Sequence, residues 1–233
     1  MSTPYPNWQK RIHVPDACYF VTCNTRDFHH FFREPILCDV FAETLRQCKE
    51  NRKFELYGWS LGYDHFHSSI RPMGNDDISK IMHGLKRNAS RNINFVMGSN
   101  AYDEPSMENA DNHPHLRQGD WDAAYPISER ADENPHLAHA PERADENPHF
   151  PNANNFIYIK WILKFRFKIK YLNRIPFQKF EWKKSFIDHY CRDERDFRTH
   201  LKYIAYNPTK HHLPKDWPYV FTNPKYESWI SEW

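Results

Sequence analysis

Glycine is scarce, 6 in 233 residues, while aromatic residues make up 16%; together these exclude collagen-like repeats and flexible low-complexity fibres for the chain as a whole. No CxxC pair occurs. The five cysteines (Cys18, Cys23, Cys38, Cys48, Cys191) form an odd set, which argues against a disulfide framework and a cysteine-rich zinc site and for reduced thiols acting as small buried apolar residues. No apolar run approaches the ~20 residues that a membrane span requires, so no membrane partner is expected. Met1 to Lys10 is polar and holds no signal-like apolar stretch, which makes a cytoplasmic protein the expectation. The length suits one sizeable domain or two small ones.

The charge is unevenly placed. Residues 97–150 hold 12 Asp/Glu against 3 Lys/Arg, whereas the remaining 179 residues hold 29 Lys/Arg against 18 Asp/Glu. A basic body with a net charge of +11 suits a polyanion, with nucleic acid first, although a solubilising basic surface has the same composition.

Periodicity assigns the elements. Cys18–Thr25 reads as a strand of β-branched and aromatic residues. Asp39–Asn51 reads as a helix with Val40, Phe41, Thr44, Leu45 and Cys48 on one face and Asp39 as N-cap. Phe54–Leu61 and His65–Arg71 read as two strands joined by Gly62-Tyr63-Asp64. Asp76–Val96 carries the clearest helical stripe (Ile78, Ile81, Met82, Leu85, Ala89, Ile93), with Lys86, Arg87 and Arg91 off it. Trp182–Cys191 resembles a last strand, and Arg192–Asn207 a helix ended by Pro208. The aromatic and Pro-containing tail (Trp217, Pro218, Tyr219, Trp229, Trp233) is expected to wrap the core.

Between these lies a different composition. ERADENPH occurs at 129–136 and again at 142–149, with a looser copy at 108–115. This acidic, Pro- and Asn-punctuated insert has neither period and is expected to be disordered. Its histidines (His113, His115, His136, His139, His149) allow a metal-binding tract, but duplication alone multiplies whatever the unit contains. From 156 to 184 there are nine Lys/Arg and one Glu, and Lys164, Arg166, Lys168 and Lys170 alternate strictly with apolar residues. That alternation predicts a basic amphipathic strand, either facing nucleic acid or forming a solvated edge.

Two small patterns carry chemistry. In Asp64-His65-Phe66-His67, side chains two apart on a strand share a face, so His65 and His67 can present two imidazoles to one ion while Phe66 turns inward. In Tyr203-Ile204-Ala205-Tyr206-Asn207, Tyr203 and Asn207 stand one helical turn apart, with Tyr206 nearby. A phenol beside an amide oxygen suits a nucleophile next to a metal ligand. Each pattern by itself also fits ordinary packing.

In combination and in this order they resemble a known family. YFVTCNTRD (19–27), YGWSLGYDHFH (57–67), GLKRNASRNIN (84–94) and FEWKKSFIDHYCRDERDFRTHLKYIAYNPTKHHLPKDWPY (180–219) are similar to the single-tyrosine HUH transposases of the IS200-like family, and within them to the REP-associated tyrosine transposases. The resemblance implies an α+β fold with a ferredoxin-like, RRM-like antiparallel sheet and helices on one face. It implies a single HUH domain at 8–96 and 180–223, interrupted by the insert at 97–155 and the basic strand-like segment at 156–179. It further implies cleavage and rejoining of single-stranded DNA at hairpins through a 5′-phosphotyrosine linkage, by a monomer or homodimer. His65, His67 and Asn207 would hold Mg²⁺ or Mn²⁺ and Tyr203 would attack, with Tyr206 or Tyr190 as the alternatives. Lys86, Arg87, Arg91, Lys164, Arg166, Lys168, Lys170 and Lys210 are candidates for DNA contact. Zinc would also accept two histidines. A competing reading keeps the fold as a hairpin DNA- or RNA-binding module without cleavage. The chain departs from the family in two places: Tyr63-Asp64 stands where Pro-Asn is frequent, making Asp64 a turn residue or an orienter of an imidazole. His211-His212 stands where Gly is common, at a turn suited to left-handed backbone.

Overall fold

The computed structural model describes residues 14–99 and 155–232. Most of the acidic insert, including its histidines, lies outside the described residues. Four strands form one antiparallel sheet: β1 (Tyr19–Asn24), β2 (Phe54–Leu61), β3 (His65–Pro72) and β4 (Ile187–Tyr190), in the order β2-β3-β1-β4. With the helices α1 (Pro35–Arg52), α2 (Ile78–Met97), α3 (Asn155–Lys170) and α4 (Glu194–Lys210) this is an α+β fold, as the resemblance implies. Among the described residues no helix is long and apolar enough to cross a membrane.

The sheet is two-sided because strand side chains alternate. Val21, Cys23, Phe66 and Ile70 enter a core shared with α1 and α2, where Phe66 packs on Phe41 and Trp182. Asn92 donates to Thr44 Oγ1 at 3.0 Å, joining α2 to α1 within that core. The Asn94 amide exchanges two hydrogen bonds with the backbone of Phe180, at 2.9 and 2.8 Å, which fixes the segment that places Trp182 over Phe66. On the opposite side α4 lies across the sheet. It approaches β2 closely at Gly58, where a Cβ would stand 2.8 Å from Leu201 Cδ2 and 3.3 Å from Phe221. Four of the five cysteines are buried and all are free, in keeping with their reading as small core residues.

The helix ends show where the sequence reading shifts. α1 starts four residues before the expected Asp39, because Pro35 occupies its first turn and the Glu34 carboxylate accepts from the Ile36 amide. α2 begins after Asp77, whose carboxylate accepts from Lys80 N at 2.7 Å, and stops at Gly98 in left-handed conformation. α4 is capped by Asp193 and runs through Pro208 to Lys210. Proline does not end this helix as expected. It sits in the last turns and removes only the donor that would reach the carbonyl of Ile204.

The larger correction concerns 155–170. The strict alternation from Lys164 to Lys170 is not a strand but the second half of α3. At helical pitch the same residues put Leu163 and Phe167 into the core, and these apolar anchors, four apart, decide the outcome over the two-residue pattern. The last strand is also shorter than Trp182–Cys191, since Trp182 forms only an isolated bridge with Thr25. The tail does wrap the core. Leu61 N donates to Tyr219 O at 2.9 Å and Phe221 N to Trp59 O at 2.8 Å, which covers the outer edge of β2. Tyr226 and Trp229 pack on Trp59.

After α4, His212 takes the left-handed conformation (φ 54°), at the turn where glycine would be unstrained. His212→Gly should therefore raise stability by about 1 kcal/mol, read as a shift of the urea midpoint with unchanged slope; an unchanged or lowered midpoint would show that the imidazole compensates for the backbone.

Candidate metal and tyrosine site

The site forms where β3, β1 and α4 meet on the face of the sheet away from the aromatic core. His65 and His67 project from β3, each 5% exposed. Their rings stand 4.9 Å apart between centroids. Each imidazole is held through Nδ1: His65 by Asp64 Oδ1 at 2.6 Å and His67 by Thr22 Oγ1 at 2.8 Å. Thr22 lies directly opposite His67 in the β1–β3 ladder, so the contact follows from register. Asp64 is thus both a turn residue and an orienter. With Nδ1 engaged on both rings, Nε2 is the nitrogen left to act as a ligand.

From α4, Asn207 and Tyr203 arrive on the same helical face. Asn207 is fully buried, with Nδ2 3.4 Å from His65 Nε2, and its Oδ1 has no hydrogen-bond partner among the described residues. A buried, unpaired amide oxygen is costly unless something fills its lone pairs. Beside two imidazoles this oxygen completes a donor set that fits a divalent cation. The Tyr203 ring meets His67 edge-on at 5.1 Å and Phe20 at 5.8 Å. Of the other two tyrosines, Tyr206 is 60% exposed on another face of α4, and Tyr190 is in β4 beside His189. The structure brings together His65, His67, Asn207 and Tyr203.

The electrostatics suit metal ligation. Burial first, then the neighbouring His65, His211 and Lys210, push the His67 imidazole down to about 3, so its lone pair is free at neutral pH. Burial likewise lowers His211, whose ring lies 4.6 Å from His65. Burial opposes charge on Asp64, but the His65 hydrogen bond and nearby imidazoles outweigh it and hold the carboxyl below its usual range.

The basic candidates separate into groups. Lys210 belongs to the site, since its Nζ donates to the Tyr203 hydroxyl at 3.0 Å and lies 4.6 Å over that ring. Lys164 is 6% exposed, with Nζ 4.2 Å above the Phe95 ring. Lys170 pairs with the buried Glu34 at 2.7 Å. Lys86 donates to the carbonyls of Lys183, Lys184 and Ser185. Arg87, Arg91, Arg166 and Lys168 are exposed. Lys86 and Arg87 line a groove of about 840 Å³ between α2 and residues 179–186, with Arg52, Lys80, Lys179 and Lys184.

Thr22 and Phe20 are not singled out from the sequence, and His211 is noted there only at a turn where Gly is common. Thr22 becomes visible only once β1 is paired with β3 in register. A separate cluster, His189, Asp196 and His200, brings its ligand atoms within 4.8 Å of one another. Asp196 is held well below the usual carboxylate range, first by the His189 hydrogen bond.

Comparison with known proteins bears on the family likeness and the fold. Residues 17–103 match the family model described as transposase IS200 like. A curated relative from Haemophilus influenzae, a putative REP-associated tyrosine transposase, is 49% identical over 41 residues, which are 16% of this chain and 23% of that protein. The alignment therefore spans about a quarter of the relative's length. Among solved structures, a REP-associated tyrosine transposase bound to a REP hairpin shares the fold, with a TM-score of 0.51 and 16% identity over 99% of this chain and 89% of that one. Residues 17–103 are thus similar to the IS200-like transposases, and the chain shares the fold of a REP-associated tyrosine transposase.

Proposed function

We propose that the chain is a metal-dependent transposase that cleaves and rejoins single-stranded DNA at hairpin elements, with Tyr203 as the nucleophile. The observation that carries this reading is the convergence of His65, His67, Asn207 and Tyr203 on one face of the sheet, from segments about 140 residues apart in sequence. His65 and His67 through Nε2, and Asn207 through its unpaired Oδ1, would hold a divalent ion. Mn²⁺ suits two imidazoles better than Mg²⁺, which favours oxygen. When bound, the ion supplies positive charge to the non-bridging oxygens of the scissile phosphate.

The chain's own groups do the remainder. An ordinary phenol has a pKa of about 10 and is a weak nucleophile at neutral pH. The Lys210 ammonium donates to the Tyr203 oxygen and so places a positive charge beside the reacting atoms. Phe20 and His67 against the Tyr203 ring restrict its rotation. Attack by the Tyr203 oxygen on phosphorus forms a 5′-phosphotyrosine bond and expels the 3′-oxygen, which leaves as a hydroxyl after taking a proton. Reversal by another 3′-hydroxyl rejoins the strand. The exposed Arg87 and the groove beside it favour contact with the phosphate backbone.

Incubation of the protein with single-stranded hairpin oligonucleotides from its own genomic flanks, with Mn²⁺ or with chelator, tests the reading. A denaturant-resistant protein–DNA adduct should form only with metal and disappear in Tyr203→Phe. An adduct that survives this substitution would move the nucleophile elsewhere. Retarded hairpin without adduct would favour the binding-module reading. Thr22→Val, which frees His67 Nδ1, should weaken Mn²⁺ binding by about 10- to 100-fold with little change in thermal stability; unaltered titration calorimetry would remove Thr22 from the site.

A further inference from the structure

Near the N-terminal end of α4, a second set of ligands is gathered. His189 Nε2 is 2.9 Å from Asp196 Oδ2, and His200 Nε2 is 3.3 Å from Asp196 Oδ1. One carboxylate therefore faces two imidazoles through its two oxygens. Each member is fixed by a different element. His189 stands opposite Phe20 in the β1–β4 ladder. His200 stacks on the Phe20 ring at 4.4 Å. Asp196 stands one turn before His200, and its own amide donates to the Asp193 carboxylate at 2.8 Å. All three are partly accessible, so an ion can reach them from solvent.

We propose that His189, Asp196 and His200 form a second metal site, for a Zn²⁺-class ion, which ties β4 to the tyrosine helix and is separate from the His65–His67 pair. Two imidazoles and one carboxylate are the borderline ligands that Zn²⁺ takes, at distances of about 2.0–2.2 Å, and three protein ligands leave a position for water. Ligand atoms within 4.8 Å of one another need only small rotations to meet such distances. Arg192 competes twice: its backbone N–H donates to Asp196 Oδ2 at 3.2 Å and its side-chain Nε at 3.1 Å. That side chain is largely exposed, and metal binding displaces it into water.

The site's consequence is mechanical. β4 has four residues and, among the described residues, pairs only with β1, at the edge of the sheet. An ion held between it and α4 fastens the first turns of the helix, and His200 lies one turn before Tyr203. The proposal does not depend on the DNA-cleavage reading, because ligation needs only these three side chains.

Chelator-stripped full-length protein titrated with Co²⁺, a spectroscopic stand-in for Zn²⁺, provides the test. The visible absorption of protein-bound Co²⁺ should persist in His65→Ala/His67→Ala and be displaced by Zn²⁺. In His189→Gln/His200→Gln, whose amides can still donate to Asp196, Co²⁺ affinity at this site should fall by about 100-fold or more, with the metal-free melting temperature preserved. Zn²⁺ should raise the melting temperature of the parent protein and of His65→Ala/His67→Ala but not of the glutamine variant. The histidines of the insert are present in every variant, so differences report on the exchanged pairs. Unchanged Co²⁺ affinity and spectrum in the glutamine variant would overturn the proposal, as would a signal that vanishes only with His65 and His67.

Discussion

The pleat of β3 carries two incompatible environments on a single eight-residue strand. Phe66 and Ile70 leave one face for the aromatic core, and His65 and His67 leave the other for α4. Burying each of the two apolar side chains contributes roughly 1.5–3 kcal/mol. A slip of one residue would put the imidazoles into that core and expose the phenyl ring. Register is therefore pinned by the hydrophobic face, and the polar face inherits its precision. Thr22 meets His67 Nδ1 because β1 is locked to β3 by the same core, through Val21 and Cys23.

Much of this was legible before the structure. The His-Phe-His spacing specifies a shared face once the segment is a strand, and Tyr203 with Asn207 specifies a shared face once theirs is a helix. Those inferences need only local periods. What failed needed tertiary information. From Lys164 to Lys170 the sequence alternates as a strand does, yet Leu163 and Phe167 are buried in the main core, and the helix that serves them overrides the pattern. Asp39 looks like an N-cap, but Pro35 and Glu34 start the helix earlier. Pro208 looks like a terminator, but a proline near a helix end removes a single donor and is tolerated there. The cluster of His189, Asp196 and His200 was hidden for a related reason. Its members come from two elements, and only strand pairing with Phe20 brings them together.

Charge counting has the same limit. The excess of lysine and arginine suggests a surface for polyanions, yet several of those cations are engaged within the protein. Lys164 lies over an aromatic ring, Lys170 neutralises a buried glutamate, and Lys86 gathers three carbonyls of a neighbouring loop. Their long apolar stems and terminal charge suit such work. The basic surface left exposed is smaller than composition implies, and Arg87 with its groove is one part of it.

Gly58 sets a dimension of the site without belonging to it. The helix bearing Tyr203 and Asn207 rests on β2 where a side chain is missing, with Leu201 in the space that a methyl group would fill. The height of the helix above the sheet, and so the clearance between the amide of Asn207 and the imidazoles of β3, is calibrated by that absent carbon. The spacer in this protein is an omission, and drift in sequence at a residue with no chemistry of its own would shift the groups that have it.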